Sequence, residues 1–178
     1  MKISEISARI PEEARGELET KTYMTLTRLN IPFTRVDNDA VESMEECQEI
    51  GAKLGAEIRK NVFLCDRKKA KFYLAVLPAD KHFDTKIFCE RLGCSRVSFA
   101  PAEYMQKYLG VLPGTASVMS LLNDESGTVS LVIDREVAMD EWFACNPGVN
   151  TAHLRVEMKQ LLEVFLPAIG HRAIIAGL

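Results

Sequence analysis

No stretch of this chain stays apolar for the roughly 18 to 20 residues that a membrane-spanning helix needs. Its opening, Met1 to Arg15, scatters Lys2, Glu5, Arg9, Glu12 and Glu13 among short apolar residues, so the continuous apolar segment of a secretory leader is missing. A cytoplasmic protein with no membrane partner is expected. Cysteine is limited to Cys47, Cys65, Cys89, Cys94 and Cys145, an odd number at irregular spacing, with no C-x-x-C pair and no histidine at a ligand spacing. Those spacings argue against a structural metal and for reduced, mostly buried thiols. Cys65 lies in an apolar stretch that offers nothing to activate it as a nucleophile. Histidine is scarcer still. His82, His153 and His171 stand in no serine or cysteine nucleophile signature, and G-x-S-x-G is absent. Neither G-x-G-x-x-G nor G-x-x-x-x-G-K-[ST] occurs, which excludes the nucleotide folds built on those turns. Without repeats, low-complexity tracts or linkers, residues 1–178 read as one domain.

What is present suits a soluble globular protein. Apolar residues make up 47% of the 178 and charged residues 26%, enough to bury a core without disulfides or metal. A net charge of −3 argues against a generic nucleic-acid binder. The charge is uneven, however. Asp37 to Glu49 is acidic, and Arg59 to Lys71 is basic through Lys60, Arg67, Lys68, Lys69 and Lys71. A local basic face can meet phosphates on an acidic protein, although a solvated hairpin tip is the plainer reading.

Helical and strand-like segments alternate along the chain. The spacing of Leu18, Tyr23, Leu26 and Leu29 predicts a helix over Glu12 to Asn30, with Pro11 in its first turn and Ile31-Pro32 ending it. A strand follows from Phe33 to Val36. Ser43-x-x-Glu46 is a capping box that should start a helix stopping near Gly51 or Gly55. Val62 to Cys65 and Phe72 to Leu77 flank the polar Asp66–Lys71 segment, the pattern of an antiparallel hairpin with a basic tip. Asp84 should cap a helix that Gly93 ends, with Phe83 and Phe88 as its staple. Arg96 to Phe99 reads as a strand, and Pro101 opens a helix to Gly110. Val118 to Leu122 and Val129 to Ile133 read as a second hairpin, and Met158, Leu161, Leu162 and Phe165 mark a final helix. The fold class that follows is mixed α/β, with a largely antiparallel sheet and surrounding helices.

Four segments have the residue types for chemistry. Lys60-Asn61 stands at the mouth of an apolar strand. Gly110-Val111-Leu112-Pro113-Gly114-Thr115-Ala116-Ser117 is a tight loop whose backbone N–H groups could face an oxyanion. Cys145-Asn146-Pro147-Gly148-Val149-Asn150-Thr151-Ala152 is polar and turn-prone, and Gly170-His171 lies near the end of the sequence.

Taken in order, these segments resemble the YbaK/aminoacyl-tRNA synthetase-associated domain, in its free-standing prolyl-tRNA editing branch. The residues that carry the resemblance are Lys60-Asn61-Val62-Phe63-Leu64, Phe72-Tyr73-Leu74-Ala75, Asp80-Lys81, Leu92-Gly93 and Arg96 to Ala100. Leu109 to Gly114, Leu121 to Asp124, and Asn146-Pro147 to Asn150-Thr151 complete it. Each motif alone is weak; their order is specific, and the likeness runs from about Thr22 to His171. It implies a pocket for the 3′ end of aminoacyl-tRNA and hydrolysis of the aminoacyl ester without metal or other cofactor. The expected substrate is alanine on the acceptor end of proline tRNA, and prolyl-tRNA synthetase is a candidate partner. An apolar synthetase pocket discriminates a missing methylene by only about 1 to 3 kcal/mol, so a second sieve is needed.

By position, the resemblance implies that Lys60 acts electrostatically on the aminoacyl end or its adenosine. Gly110 and Gly114 would bound a loop of backbone donors for the ester carbonyl. Asn61, Pro113, Ser117, Asn146 and Asn150 would line the substrate. One departure stands out: many relatives have His-Pro where this chain has Asn146-Pro147, and asparagine cannot exchange a proton at neutral pH. Two alternatives stay open: a deacylase for cysteinyl or seryl tRNA, and a non-catalytic module of the same fold that binds tRNA or a synthetase.

Overall fold

A computed structural model describes all 178 residues. Helix α1 (Glu17–Arg28) leads to strand β1 (Phe33–Asp37), helix α2 (Met44–Leu54) and the hairpin of β2 (Lys60–Asp66) and β3 (Phe72–Leu77). Helix α3 (Thr85–Leu92), strand β4 (Val97–Phe99) and helix α4 (Ala102–Leu109) follow, then a 3-10 helix over Val118–Asn123. Strand β5 (Val129–Asp134), the short helix α5 (Arg135–Ala138), β6 (Trp142–Cys145) and β7 (Ala152–Glu157) come next. The last helical stretch runs from α6 (Met158–Gln160) through a π-helical turn over Leu161–Phe165 into α7 (Leu166–Ala168), and strand β8 (Ala173–Ala176) ends the order. No helix is long and apolar enough to cross a membrane.

The strands form two sheets. One is antiparallel, in the order β1-β7-β6; the other has the order β4-β2-β3-β5-β8, antiparallel from β4 to β3 and parallel from β3 to β8. This is the expected mixed α/β architecture. The β2–β3 hairpin shows why both its strands read as unbroken apolar runs. Phe63 and Cys65 enter the main core with Leu74, Phe143 and Phe165, while Val62 and Leu64 pack with Phe88 of α3 on the opposite face. A sheet covered on both sides loses the alternation that marks a half-exposed strand. On the smaller sheet, Ile50 and Leu54 of α2 pack against Val36 and Ala144.

Local signals place several of these elements. At α2 the Ser43 hydroxyl accepts from the Glu46 N–H at 3.2 Å and the Glu46 carboxylate accepts from the Ser43 N–H at 3.1 Å, satisfying donors that the helix leaves unpaired. Gly55, at φ 70°, ends it. Asp84 caps α3 through the Lys86 and Ile87 N–H groups, and Phe83 meets Phe88 with ring centres 5.6 Å apart.

Two expectations are corrected. Helix α1 begins at Glu17, not Glu12, and Pro11 lies outside it. The preceding segment instead runs beside β1, where Ser7 and Arg35 exchange backbone hydrogen bonds of 2.9 and 2.8 Å. Val118–Leu122 is not a strand. The Ser117 hydroxyl accepts from the Met119 N–H and the Ser120 hydroxyl accepts from the Ser117 N–H, which winds this apolar segment into the 3-10 helix. Strand β5 therefore pairs in parallel with β3 and β8 rather than in a hairpin of its own.

Candidate active site

Where the start of β2 approaches the β6–β7 loop, a cleft of about 190 Å³ opens. It is smaller than the roughly 300 to 1,000 Å³ usual for drug-sized ligands, so it suits a small chemical group. Its polar wall holds Lys60 and Asn61 from β2, Gly114 from the loop after α4, Asn146 and Asn150 from the β6–β7 loop, and His153 from β7. Its apolar wall comes from Val41, Met44, Ile58, Met105 and Ala116. A parallel bridge joins Ile58, which lines the cleft, to Ala144 of β6.

Each polar group is held in place. The Lys60 ammonium donates to the Lys81 carbonyl at 2.6 Å, leaving its other N–H groups free. Lys81 is in turn anchored: its ammonium meets the fully buried Asp134 carboxylate at 3.0 Å and Glu136 at 2.7 Å. The hydrogen bond to Glu136 is the main cause that pushes the Lys81 ammonium above its usual range. Asn61 donates to the Arg59 carbonyl, but its side-chain oxygen is buried with no partner. Such an orphan acceptor costs free energy unless something donates to it. Gly114 has φ 91°, and its N–H meets no acceptor within the protein.

His153 is 2% exposed, and its Nδ1 lies 2.9 Å from the Asn38 side-chain oxygen. Asn38 donates through its amide nitrogen to the Asp39 and Asn150 carbonyls, which turns its oxygen toward the ring. An amide oxygen only accepts, so Nδ1 carries the proton and Nε2 is the free acceptor. Burial pushes the imidazole down to about 4. Cys47 also reaches the cleft; burial, with Glu46 beside it, pushes its thiol up and keeps it protonated.

The residues singled out from sequence divide into three groups. Lys60, Asn61, Gly114, Asn146 and Asn150 share the cleft. Ser117 is buried behind it, donating to the Asn146 carbonyl at 2.7 Å, and Asn146 folds its own loop by accepting from the Gly148 N–H at 2.9 Å. Gly110 and Pro113 lie outside the cleft lining. Gly110 ends α4 at φ 67° and faces a separate polar cavity with Asn123 and Lys21. His171, in the fourth segment, is likewise elsewhere: its Nε2 is 3.0 Å from the Asp124 carbonyl, joining the end of the chain to the turn before β5. Sequence alone assigns no site role to His153, which stands in no nucleophile signature, or to Arg59, which reads only as part of a basic stretch. His153 follows a turn-rich loop on an alternating strand, and only its facing direction separates it from a structural histidine. Arg59 lines the cleft with its guanidinium already paired to Glu57 and Asp140.

Comparison with known proteins adds to this geometry. The aminoacyl-tRNA editing domain family matches residues 38–164. The prolyl-tRNA editing protein ProX of Acetoanaerobium sticklandii is 32% identical over 139 residues, covering 78% of this chain and 85% of that protein. Prolyl-tRNA synthetase associated domain-containing protein 1 of Danio rerio is 28% identical over 171 residues, covering 95% and 90%. Among solved structures, a proposed trans-editing enzyme for prolyl tRNA synthetase shares the fold, with TM-score 0.67 at 16% identity over 93% of this chain and 99% of that one.

Proposed function

The chain belongs to the aminoacyl-tRNA editing domain family, and from that premise we propose that it is a deacylase that clears alanine from mischarged proline tRNA. The similarity to a prolyl-tRNA editing protein supports the choice of tRNA. The observation that carries the reading is the small cleft itself, with an ammonium, an orphan amide oxygen and a free backbone N–H on one wall and apolar side chains on the other.

In this reading the α-ammonium of the aminoacyl ester donates to the Asn61 oxygen, filling the vacant acceptor. Lys60 and the Gly114 N–H face the ester carbonyl, where negative charge develops as water adds; fixed donors aimed at developing charge lower the barrier. The ester C–O bond then breaks, the amino acid leaves as its carboxylate, and the ribose oxygen takes a proton. The RNA's own 2′-hydroxyl positions the water; Cys47 and His153 both line the cleft, but no hydrogen bond joins them and burial keeps the Cys47 thiol protonated, so neither is arranged as a nucleophile and base. His153, neutral at physiological pH, accepts a hydrogen bond through Nε2. Asn146 shapes the loop and transfers no proton. The reaction proposed uses no metal, and no group of three His, Cys, Asp or Glu side chains converges as ligands. A volume of about 190 Å³ favours a small aminoacyl group over a larger one.

The direct test incubates the protein with proline tRNA charged with alanine, cysteine, serine or proline and follows ester loss. Alanine should be released and proline retained, with chelator making no difference. Release of cysteine or serine alone would redirect the specificity, and tight binding without turnover would mark a recognition module instead.

A further inference from the structure

The turn between β2 and β3 is built more firmly than a solvated loop requires. Asp66 accepts from the Ala70 and Lys71 N–H groups through its carboxylate, at 2.8 and 3.1 Å, and from the Lys69 N–H through its carbonyl, at 3.0 Å. Arg67, Lys68, Lys69 and Lys71 are all exposed, and none forms an ion pair. Lys69 adopts φ 53°, a left-handed conformation that glycine or asparagine takes more easily. A lysine at this position puts a cation where the backbone alone would favour another residue.

Helix α4 extends the same face. The Lys69 ammonium lies 5.4 Å from the ring centre of Tyr104, and Lys107 lies 5.0 Å from that of Tyr108. The two tyrosine rings are 6.3 Å apart with planes 19° from parallel, and both rest on the buried Phe72. The acids nearby are Glu103, exposed on α4, Asp66, whose carboxylate is committed to its own turn, and Glu17, Glu19 and Glu125, which line a cavity together with Lys107. Cations interleaved with half-buried rings suit an RNA strand, whose phosphates take the charge and whose bases stack. The face also connects to the cleft, because Met105 on α4 lines it. Six residue steps along β2 separate Lys60 from Asp66, about 20 Å at strand rise, the length of roughly six stacked nucleotides or fewer extended ones.

We propose that the β2–β3 turn and α4 form the docking face for the RNA that carries the ester, with Lys69 and Lys107 on its phosphates while its 3′ end enters the cleft at Lys60. This rests on the reading of the substrate as an RNA ester. On a protein of net charge −3, such a face orients a polyanion by local attraction against overall repulsion.

The test uses the full chain, the double variant Lys69→Gly/Lys107→Gln, and two probes. One is an uncharged RNA hairpin carrying the acceptor stem and single-stranded 3′ end of proline tRNA; the other is 3′-O-alanyl adenosine, too short to reach the turn. The variant should bind the hairpin on the order of tenfold more weakly at 0.1 M salt, with a slope of log affinity against log salt shallower by about 1.5. It should melt no lower than the parent, because glycine suits the backbone at position 69, and should hydrolyse the adenosine ester at the parent rate. Unchanged hairpin affinity and slope would overturn the docking face. So would an equal loss of hydrolysis on the adenosine ester, since the defect would then lie in the cleft. If the parent hydrolyses neither the adenosine ester nor alanyl proline tRNA but binds the hairpin through these lysines, the deacylase reading falls and the docking face stands.

Discussion

His153→Gln removes an imidazole that the fold keeps neutral well below the pH at which free histidine titrates. The ordinary value is 6.5, and burial lowers it to about 4 in the folded chain. Between those values the unfolded chain holds a proton that the native chain rejects, so acidification favours unfolding. At pH above 6.5 the group carries little penalty, and the penalty grows as pH falls toward 4. At 1.36 kcal/mol per unit, the loss of stability relative to pH 7 is about 2 kcal/mol at pH 5 and about 3 kcal/mol at pH 4. Other groups titrate in the same range. Burial raises the Glu19 carboxyl, which acts in the opposite direction, but it is present in both proteins and cancels in the comparison. The assay is urea unfolding followed by circular dichroism at several pH values for parent and variant. The parent should lose about 2 kcal/mol more than His153→Gln between pH 7 and 5. Parallel curves would refute the reasoning, because they would mean that His153 titrates in the native state much as it does in the unfolded chain.

Lys60→Ala should cut deacylation about a hundredfold, the scale expected when one fixed electrostatic donor is lost. Its melting temperature should change little, since Lys60 is half-buried and its ammonium donates a single hydrogen bond; unimpaired turnover would remove it from the site. Asp134→Asn should loosen the Lys81 segment that positions Lys60 and lower kcat about fivefold, on the order of 1 kcal/mol, with KM nearly constant. A fall in melting temperature with unchanged kcat would reduce Asp134 to a structural role. Ser117→Ala leaves the Met119 N–H and the Asn146 carbonyl without a buried partner and should cost about 1 to 3 kcal/mol in chemical denaturation. A cost near zero would mean that water replaces the hydroxyl.

Local chemistry made much of this protein legible from its residues alone. The capping box at Ser43, the Asp84 cap and Gly93 stop, and the basic hairpin around Asp66–Lys71 all lie where short-range rules put them, because the groups that decide them are within a few residues of one another. The order of motifs from Lys60 to Asn150 pointed to the family for a related reason: turn residues and the strand mouth keep their spacing whatever surrounds them. Tertiary contacts decided the rest. Residues 12–16 are not helical, with Arg15 held instead by its ion pair to Asp37 of β1, and Val118–Leu122 became a 3-10 helix because Ser117 and Ser120 cap it inside a core that buries every face. Periodicity carries no signal where all sides are buried. Nor does spacing reveal that His153 shares a cleft with Lys60 while Gly110 lines a separate cavity with Asn123, since each placement depends on packing between segments distant in the chain.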